Sequence, residues 1–127
     1  MKKSVVFECR FSSAHLYHQP KWDAAQNREV FGRCFTEHGH GHNYRALVQI
    51  AEVTDSELAS TRKMLDQIIS KLDHEHLNFV IPEFKEKIPT TENICLYLKK
   101  EIEKSISLPL LSIELFEDHD IGAQYLK

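Results

Sequence analysis

Residues 42–72 read HNYRALVQIAEVTDSELASTRKMLDQIISKL, and the hydrophobic period changes once inside this stretch. From His42 to Glu52, Tyr44, Ala46, Val48 and Ile50 recur at every second position, the signature of a half-buried strand. From about Asp55 the repeat becomes helical, with Leu58, Leu65, Ile68, Ile69 and Leu72 on one stripe. Thr54, Asp55 or Ser56 stands where a helix cap is needed. Upstream, residues 4–12 alternate Val5, Phe7, Cys9 and Phe11 with Glu8, Arg10 and Ser12, which predicts another strand. Residues 16–39 carry no clear period and contain Pro20, Gly32 and Gly39, so they read as one long loop, a length that in a small domain points to function or disorder. Downstream, Leu72 to Asn78 closes the first helix, and Leu77 to Pro89 reads as a connector. Pro89-Thr90-Thr91-Glu92 opens a second helix with Ile94, Tyr97, Leu98 and Ile102 on its stripe. After Pro109, Leu111, Ile113 and Leu115 alternate with Ser112, Glu114 and Phe116, and parity sets Glu117 on the aliphatic face. A short strand is expected over Ile121–Leu126. The order strand, loop, strand, helix, helix, strand, strand predicts one α+β domain over residues 1–127 with an antiparallel sheet.

Composition narrows the function classes. The chain has 127 residues, 42% hydrophobic and 28% charged, with a net charge of −3. The sixteen lysines and arginines are scattered, which gives no electrostatic footprint for nucleic acid. The start, MKKSVVFECRFSS, alternates like a strand rather than holding a signal peptide's apolar core, and no apolar run reaches membrane length. These features exclude a membrane partner and point to the cytoplasm. Three cysteines without a CxxC pair argue against a disulfide framework. Cys9 and Cys95 lie on apolar stripes and read as core thiols.

Eight histidines are many for this length, and three fall in His38-Gly39-His40-Gly41-His42. On a strand, positions two apart share a face, so His40 and His42 project together; His38 and His40 satisfy the same rule. Gly39 and Gly41 leave the other face bare. His15 ends the first strand, and an antiparallel neighbour would bring it beside the pair. Three neutral imidazoles with an open fourth position suit a catalytic Zn²⁺, whose charge polarises a substrate oxygen. The competing reading is a polar loop of solvated histidines.

Four further residues are candidates for chemistry. Cys34 sits beside Arg33 in the long loop, where a thiol can serve as base or nucleophile, although an inert loop cysteine reads the same way. Asp73 next to His74 has the form of an oriented proton-shuttling imidazole, although a solvated helix end reads the same way. Glu117, on an inward face, is costly unless paired or functional, and a carboxylate there suits two side-by-side N–H donors; the competing reading is a hydrated residue at a frayed strand end beside Asp118 and Asp120.

Taken together, Phe11-Ser12-Ser13-Ala14-His15, Phe31-Gly32-Arg33-Cys34, His40-Gly41-His42-Asn43-Tyr44, Leu72-Asp73-His74, Pro89-Thr90-Thr91-Glu92-Asn93 and Glu117 resemble, in order, the 6-pyruvoyltetrahydropterin synthase and 6-carboxytetrahydropterin synthase family. The resemblance spans residue 5 to about 125. It implies a T-fold, an antiparallel sheet with two helices on one face. It also implies hexamers (dimers of trimers) with active sites between subunits. It makes His15, His40 and His42 the zinc ligands, which selects His42 over His38. It makes Cys34 the proton-abstracting thiol, His74 its acid/base partner and Asp73 the residue orienting that histidine. Glu117 becomes the anchor of the pterin's 2-amino pyrimidinone edge, with Thr91 and Glu92 lining the same pocket.

The implied substrate is 7,8-dihydroneopterin triphosphate, which loses triphosphate to give 6-pyruvoyltetrahydropterin or, with loss of acetaldehyde, 6-carboxytetrahydropterin, a queuosine precursor. The six-residue step from Cys34 to His40 resembles the pyruvoyl type, but both products stay open. The alternatives are a catalytically degenerate member that keeps zinc and pterin binding, and a closed structural metal site. One departure is plain: the family's Gly-Met-Val-x-Asp-Phe strand is missing, and residues 53–63 read VTDSELASTRK. A sheet shorter on one side is therefore expected, with consequences for assembly and for a pocket wall.

Overall fold

The computed structural model describes residues 1–119 and 121–127. Two long strands, β1 (Lys3–His15) and β2 (His40–Val53), pair antiparallel from Lys3↔Val53 to His15↔His40. Their alternating apolar residues give both the same buried side: Phe7, Cys9 and Phe11 on β1, with Tyr44, Ala46, Val48 and Ile50 on β2. β4 (Leu110–Glu117) pairs antiparallel with β2, and β5 (Ile121–Leu126) pairs with β4. A two-residue strand, β3 (Glu75–His76), runs parallel to the far edge of β1, so the sheet order is β3-β1-β2-β4-β5.

Two helices cover the buried side. Helix α2 (Leu58–Ser70) follows β2 through a 3₁₀ turn, where the Thr54 N–H donates to Glu57 Oε2 at 2.9 Å in a reciprocal capping box. Helix α4 (Thr91–Ser105) starts at Thr90, whose hydroxyl accepts from the Asn93 N–H at 3.1 Å. Leu65, Ile68 and Ile69 of α2 and Ile94, Leu98 and Ile102 of α4 complete one continuous core with the sheet. Each such fully buried side chain contributes about 1.5–3 kcal/mol relative to exposure. The result is the T-fold architecture. Cys9 and Cys95 are buried in this core, and all three cysteines are free thiols.

Four expectations need correction. Residues 16–39 are not a featureless loop, since α1 (Ala24–Phe31) and a 3₁₀ turn (Gly32–Cys34) lie within them. α1 escapes a search for hydrophobic period because its buried residue is polar Asn27; its signals are the Asp23 cap, which accepts from Gln26 N–H, and Gly32 at φ 55°. The connector after Leu77 contains a short helix, α3 (Leu77–Val80), and a 3₁₀ turn over Pro82–Lys85. α2 ends at Ser70, so Asp73 and His74 (φ 60°) belong to the turn that feeds β3 rather than to a helix end. On β4 the inward residues are Leu110, Ile113 and Leu115, because a register irregularity opposite Gln49/Ile50 turns Leu111 partly outward. No strand separates Val53 from α2, yet β1 and β2 stay paired to that end.

Candidate metal centre and its surroundings

The antiparallel register sets His15 opposite His40 and Ser13 opposite His42, so all three imidazoles leave the sheet on its helix-covered side. One ligand atom from each lies within 4.8 Å of the others, and the His15 and His40 Nε2 atoms are 3.1 Å apart. Nitrogens around a tetrahedral zinc are separated by about 3.3 Å, given Zn–N bonds of about 2.0–2.1 Å. The cluster therefore fits the ion with small side-chain adjustments. His42 Nε2 is buried with no hydrogen-bond partner, as expected of a nitrogen held for a metal, and His40 Nδ1 is likewise unpartnered. His38 is exposed and lies near Glu37 rather than in the cluster, so the geometry itself favours the pair His40 and His42.

Burial and the neighbouring imidazoles hold His15 well below the usual histidine range, at about 4. Burial also lowers His40. Both are thus neutral at physiological pH, the form that ligates. His15 is 1% exposed, and its Nδ1 lies 2.9 Å from the Pro89 carbonyl, to which it donates, leaving Nε2 for the cluster. The Tyr44 hydroxyl lies 3.2 Å from the same Nδ1, and its ring stacks on Phe11 at 4.9 Å. A carbonyl bond of this kind fixes the ring and tautomer of a metal-binding histidine.

Glu117 points inward, as strand parity requires, with its side chain 12% exposed. Its Oε1 lies 3.0 Å from His42 Nε2, off the direction of a hydrogen bond, while Oε2 accepts from the Thr91 hydroxyl at 2.9 Å. Thr91 is itself buried at the start of α4, and Glu92 beside it is exposed. A carboxylate 3.0 Å from one of the three clustered imidazoles stands next to a prospective cation.

Cys34 is partly buried at the end of its 3₁₀ turn, and its carbonyl accepts from the Tyr17 N–H at 2.7 Å, which ties the turn to the end of β1. The Tyr17 ring meets His15 edge-on at 5.3 Å. Burial, with Glu117, Cys34 and Glu92 nearby, pushes its phenol up to about 12. Two asparagines hold this region. Asn27 bonds the backbone of Gln19, Trp22 and Asp23, and Asn78 bonds both N–H and C=O of Leu16 at 2.9 Å.

Asp73 and His74 do not join the cluster. Asp73 Oδ1 accepts from Ser12 N–H at 2.9 Å, which lowers its carboxyl, and Oδ2 lies 3.0 Å from His74 Nδ1. His74 is 83% exposed. The pair sits beside Ser12, whose side chain leaves β1 on the side opposite His15 by strand alternation. A hollow of about 450 Å³ beside it is lined by Ser12, His42, Asn43, His74, His76 and Asp118, among others. The sequence reading missed Asp118, whose Oδ2 accepts from His42 Nδ1 at 2.7 Å, and Tyr17, Asn27 and Asn78. For Asp118 no local signal existed, because its position is set by φ 57° in the turn after β4. No helix among the described residues is long and apolar enough to cross a membrane.

Comparisons with known proteins agree with this geometry. The 6-pyruvoyl tetrahydropterin synthase family model matches residues 4–127. The 6-pyruvoyl tetrahydrobiopterin synthase of Poecilia reticulata is 32% identical over 108 residues, covering 78% of this chain and 74% of that protein. The dihydroneopterin monophosphate aldolase of Pyrococcus furiosus is 24% identical over 128 residues, covering 98% and 97%. The structure of Caenorhabditis elegans 6-pyruvoyl tetrahydropterin synthase superposes with a TM-score of 0.88 at 28% identity, covering 100% of this chain and 96% of the other. With the whole strand–helix framework and the histidine-bearing strands inside the matched region, this chain belongs to the 6-pyruvoyl tetrahydropterin synthase family.

Proposed function

We propose that this chain is a zinc-dependent lyase that acts on 7,8-dihydroneopterin triphosphate and releases triphosphate, giving 6-pyruvoyltetrahydropterin or 6-carboxytetrahydropterin. The observation that carries the reading is the convergence of three imidazoles with the inward carboxylate of Glu117, fixed by Thr91. His15, His40 and His42 would hold Zn²⁺, which supplies a positive charge that polarises side-chain hydroxyls of the substrate and acidifies the adjacent C–H bonds.

Glu117 accepts two N–H bonds from the pyrimidinone edge and so sets the distance of the pterin side chain from the histidines. Thr91 holds that carboxylate in place, and Glu92 lines the mouth of the pocket. Cys34, at the end of its 3₁₀ turn, takes up the proton released from the substrate side chain. His74, oriented by Asp73, returns a proton to the other carbon. Within one chain Asp73 and His74 are tied to the backbone of Ser12 and stand outside the three-histidine cluster, and in this reading they act in the site of a neighbouring copy. The same reading takes the protein as a homo-oligomer with active sites between subunits, and the hexamer, a dimer of trimers, is what the family resemblance implies.

The test is to incubate zinc-loaded protein with 7,8-dihydroneopterin triphosphate, resolve the pterin products and assay acetaldehyde. Acetaldehyde with 6-carboxytetrahydropterin selects one branch, and 6-pyruvoyltetrahydropterin selects the other. Dihydroneopterin monophosphate is assayed in parallel, since a relative 24% identical to this chain is named for an aldolase acting on it. An intact substrate beside one zinc per chain would refute the lyase and leave a binding protein.

A further inference from the structure

We propose that Asp118 is a positioning residue for the metal centre, holding His42 in the tautomer that leaves its Nε2 lone pair free for an ion shared with His15 and His40. The inference rests on the metal-binding part of the proposed function and not on the lyase reaction.

An ionised carboxylate can only accept, so the 2.7 Å contact from Asp118 Oδ2 requires the proton of His42 on Nδ1. In the neutral ring Nε2 is then the lone-pair nitrogen; it is buried without a hydrogen-bond partner, with Glu117 Oε1 3.0 Å away and off the direction of a hydrogen bond. The carboxylate is itself immobilised. Its Oδ1 accepts from Asn43 N–H at 3.3 Å, and the Asp118 N–H donates to the Asn43 carbonyl at 3.0 Å. The backbone at φ 57° folds the side chain back over β2 so that it reaches the ring from its far side. His15 is held in the same sense by the neutral Pro89 carbonyl. His42 therefore has the anionic partner, which strengthens its nitrogen as a donor and lowers the site's net charge toward a bound dication.

Two variants separate this role from a merely structural one. Asp118→Gly removes the side chain yet tolerates positive φ, and Asp118→Asn keeps an acceptor but removes the charge. Zinc dissociation constants are measured by competition with a chromophoric chelator at fixed pH. Long-range ¹H–¹⁵N spectra of the metal-free protein report the His42 tautomer. Asp118→Gly should weaken zinc binding about 10- to 100-fold and give His42 a mixture of tautomers. Asp118→Asn should keep the Nδ1–H tautomer and lose less affinity. Zinc affinity within twofold of the parent in Asp118→Gly, with the tautomer unchanged, would overturn the proposal. So would a parent protein that binds no zinc, which would also remove the metal reading. Absent turnover with the zinc and tautomer results as expected would count against the lyase alone and uphold the role of Asp118.

Discussion

Asn27 is 0% exposed, and it holds together the segment that delivers Cys34. Its Oδ1 accepts from Gln19 N–H at 2.7 Å, and its Nδ2 faces the carbonyls of Gln19, Trp22 and Asp23 at 3.1, 3.3 and 3.0 Å. The substitution Asn27→Asp keeps the shape and replaces the donor by an oxygen aimed at three carbonyls. Losing two donated bonds costs about 2 kcal/mol, and leaving the carbonyls unsatisfied beside a buried carboxyl adds at least about 1 kcal/mol more. A total of about 3 kcal/mol is a hundredfold in an opening equilibrium. The cost falls on a local unit, because α1 contributes little to the core formed by β1, β2, β4, α2 and α4.

Amide exchange over residues 24–34 should therefore accelerate about a hundredfold in Asn27→Asp, while amides of β2 and α4 change little. The pH dependence has a definite sign. Burial raises the introduced carboxyl's folded pKa above about 3.9, so the segment is most stable below that value and loses stability as pH rises to the folded pKa. Exchange in the variant should be nearer to that of the parent at pH 4 than at pH 7, after correction for intrinsic rates. Turnover should fall with zinc retained, because Cys34 loses its place while the histidines do not. Exchange within threefold of the parent at pH 7 would refute the assigned role of Asn27.

Other expected outcomes follow from the site. His40→Ala should lose the metal, read by zinc stoichiometry, with the fold retained in circular dichroism; full occupancy would overturn the ligand set. Cys34→Ala should keep one zinc per chain and abolish turnover, and retained activity would remove the thiol from the reaction. Thr91→Val removes the hydroxyl 2.9 Å from Glu117 and should raise KM about tenfold, the effect of one bond to a charged group, with zinc binding unchanged. Mixing inactive Cys34→Ala and His74→Ala proteins under conditions of subunit exchange should restore part of the activity, because some sites then pair an intact Cys34 with a neighbour's intact His74. No recovery with mixed oligomers demonstrated would place both residues in one chain's site.

The divide between what sequence conveyed and what it did not follows strand alternation. Period two placed Val5 to Phe11, Tyr44 to Ile50 and Ile113 to Leu115 on one face, and the same rule put His40, His42 and Glu117 there with them. Alternation alone left His38 with His40 or His40 with His42 open, and the family resemblance chose the pair that the β1–β2 register sets beside His15. α1 was not legible by that route, because polar bonds through Asn27 hold it and no apolar stripe does. Asp118 was hidden for a different reason: positive φ turns a residue that looks solvated back onto His42.

Asp73 and His74 stand outside the three-histidine cluster, although His74 and His42 line the same hollow. Asp73 is tied to the backbone of Ser12, and His74 N–H donates to the Ser12 carbonyl at 2.6 Å, so the pair is fixed to the outer edge of β1. Moving it to the other face would require breaking those bonds and the β1–β3 pairing at Ser13 and Ala14. A loop rearrangement within one chain is thus an expensive way to complete the proposed site. A second copy presenting the same fixed edge needs no such change, which makes the mixed-oligomer experiment the sharper test of how catalysis is assembled.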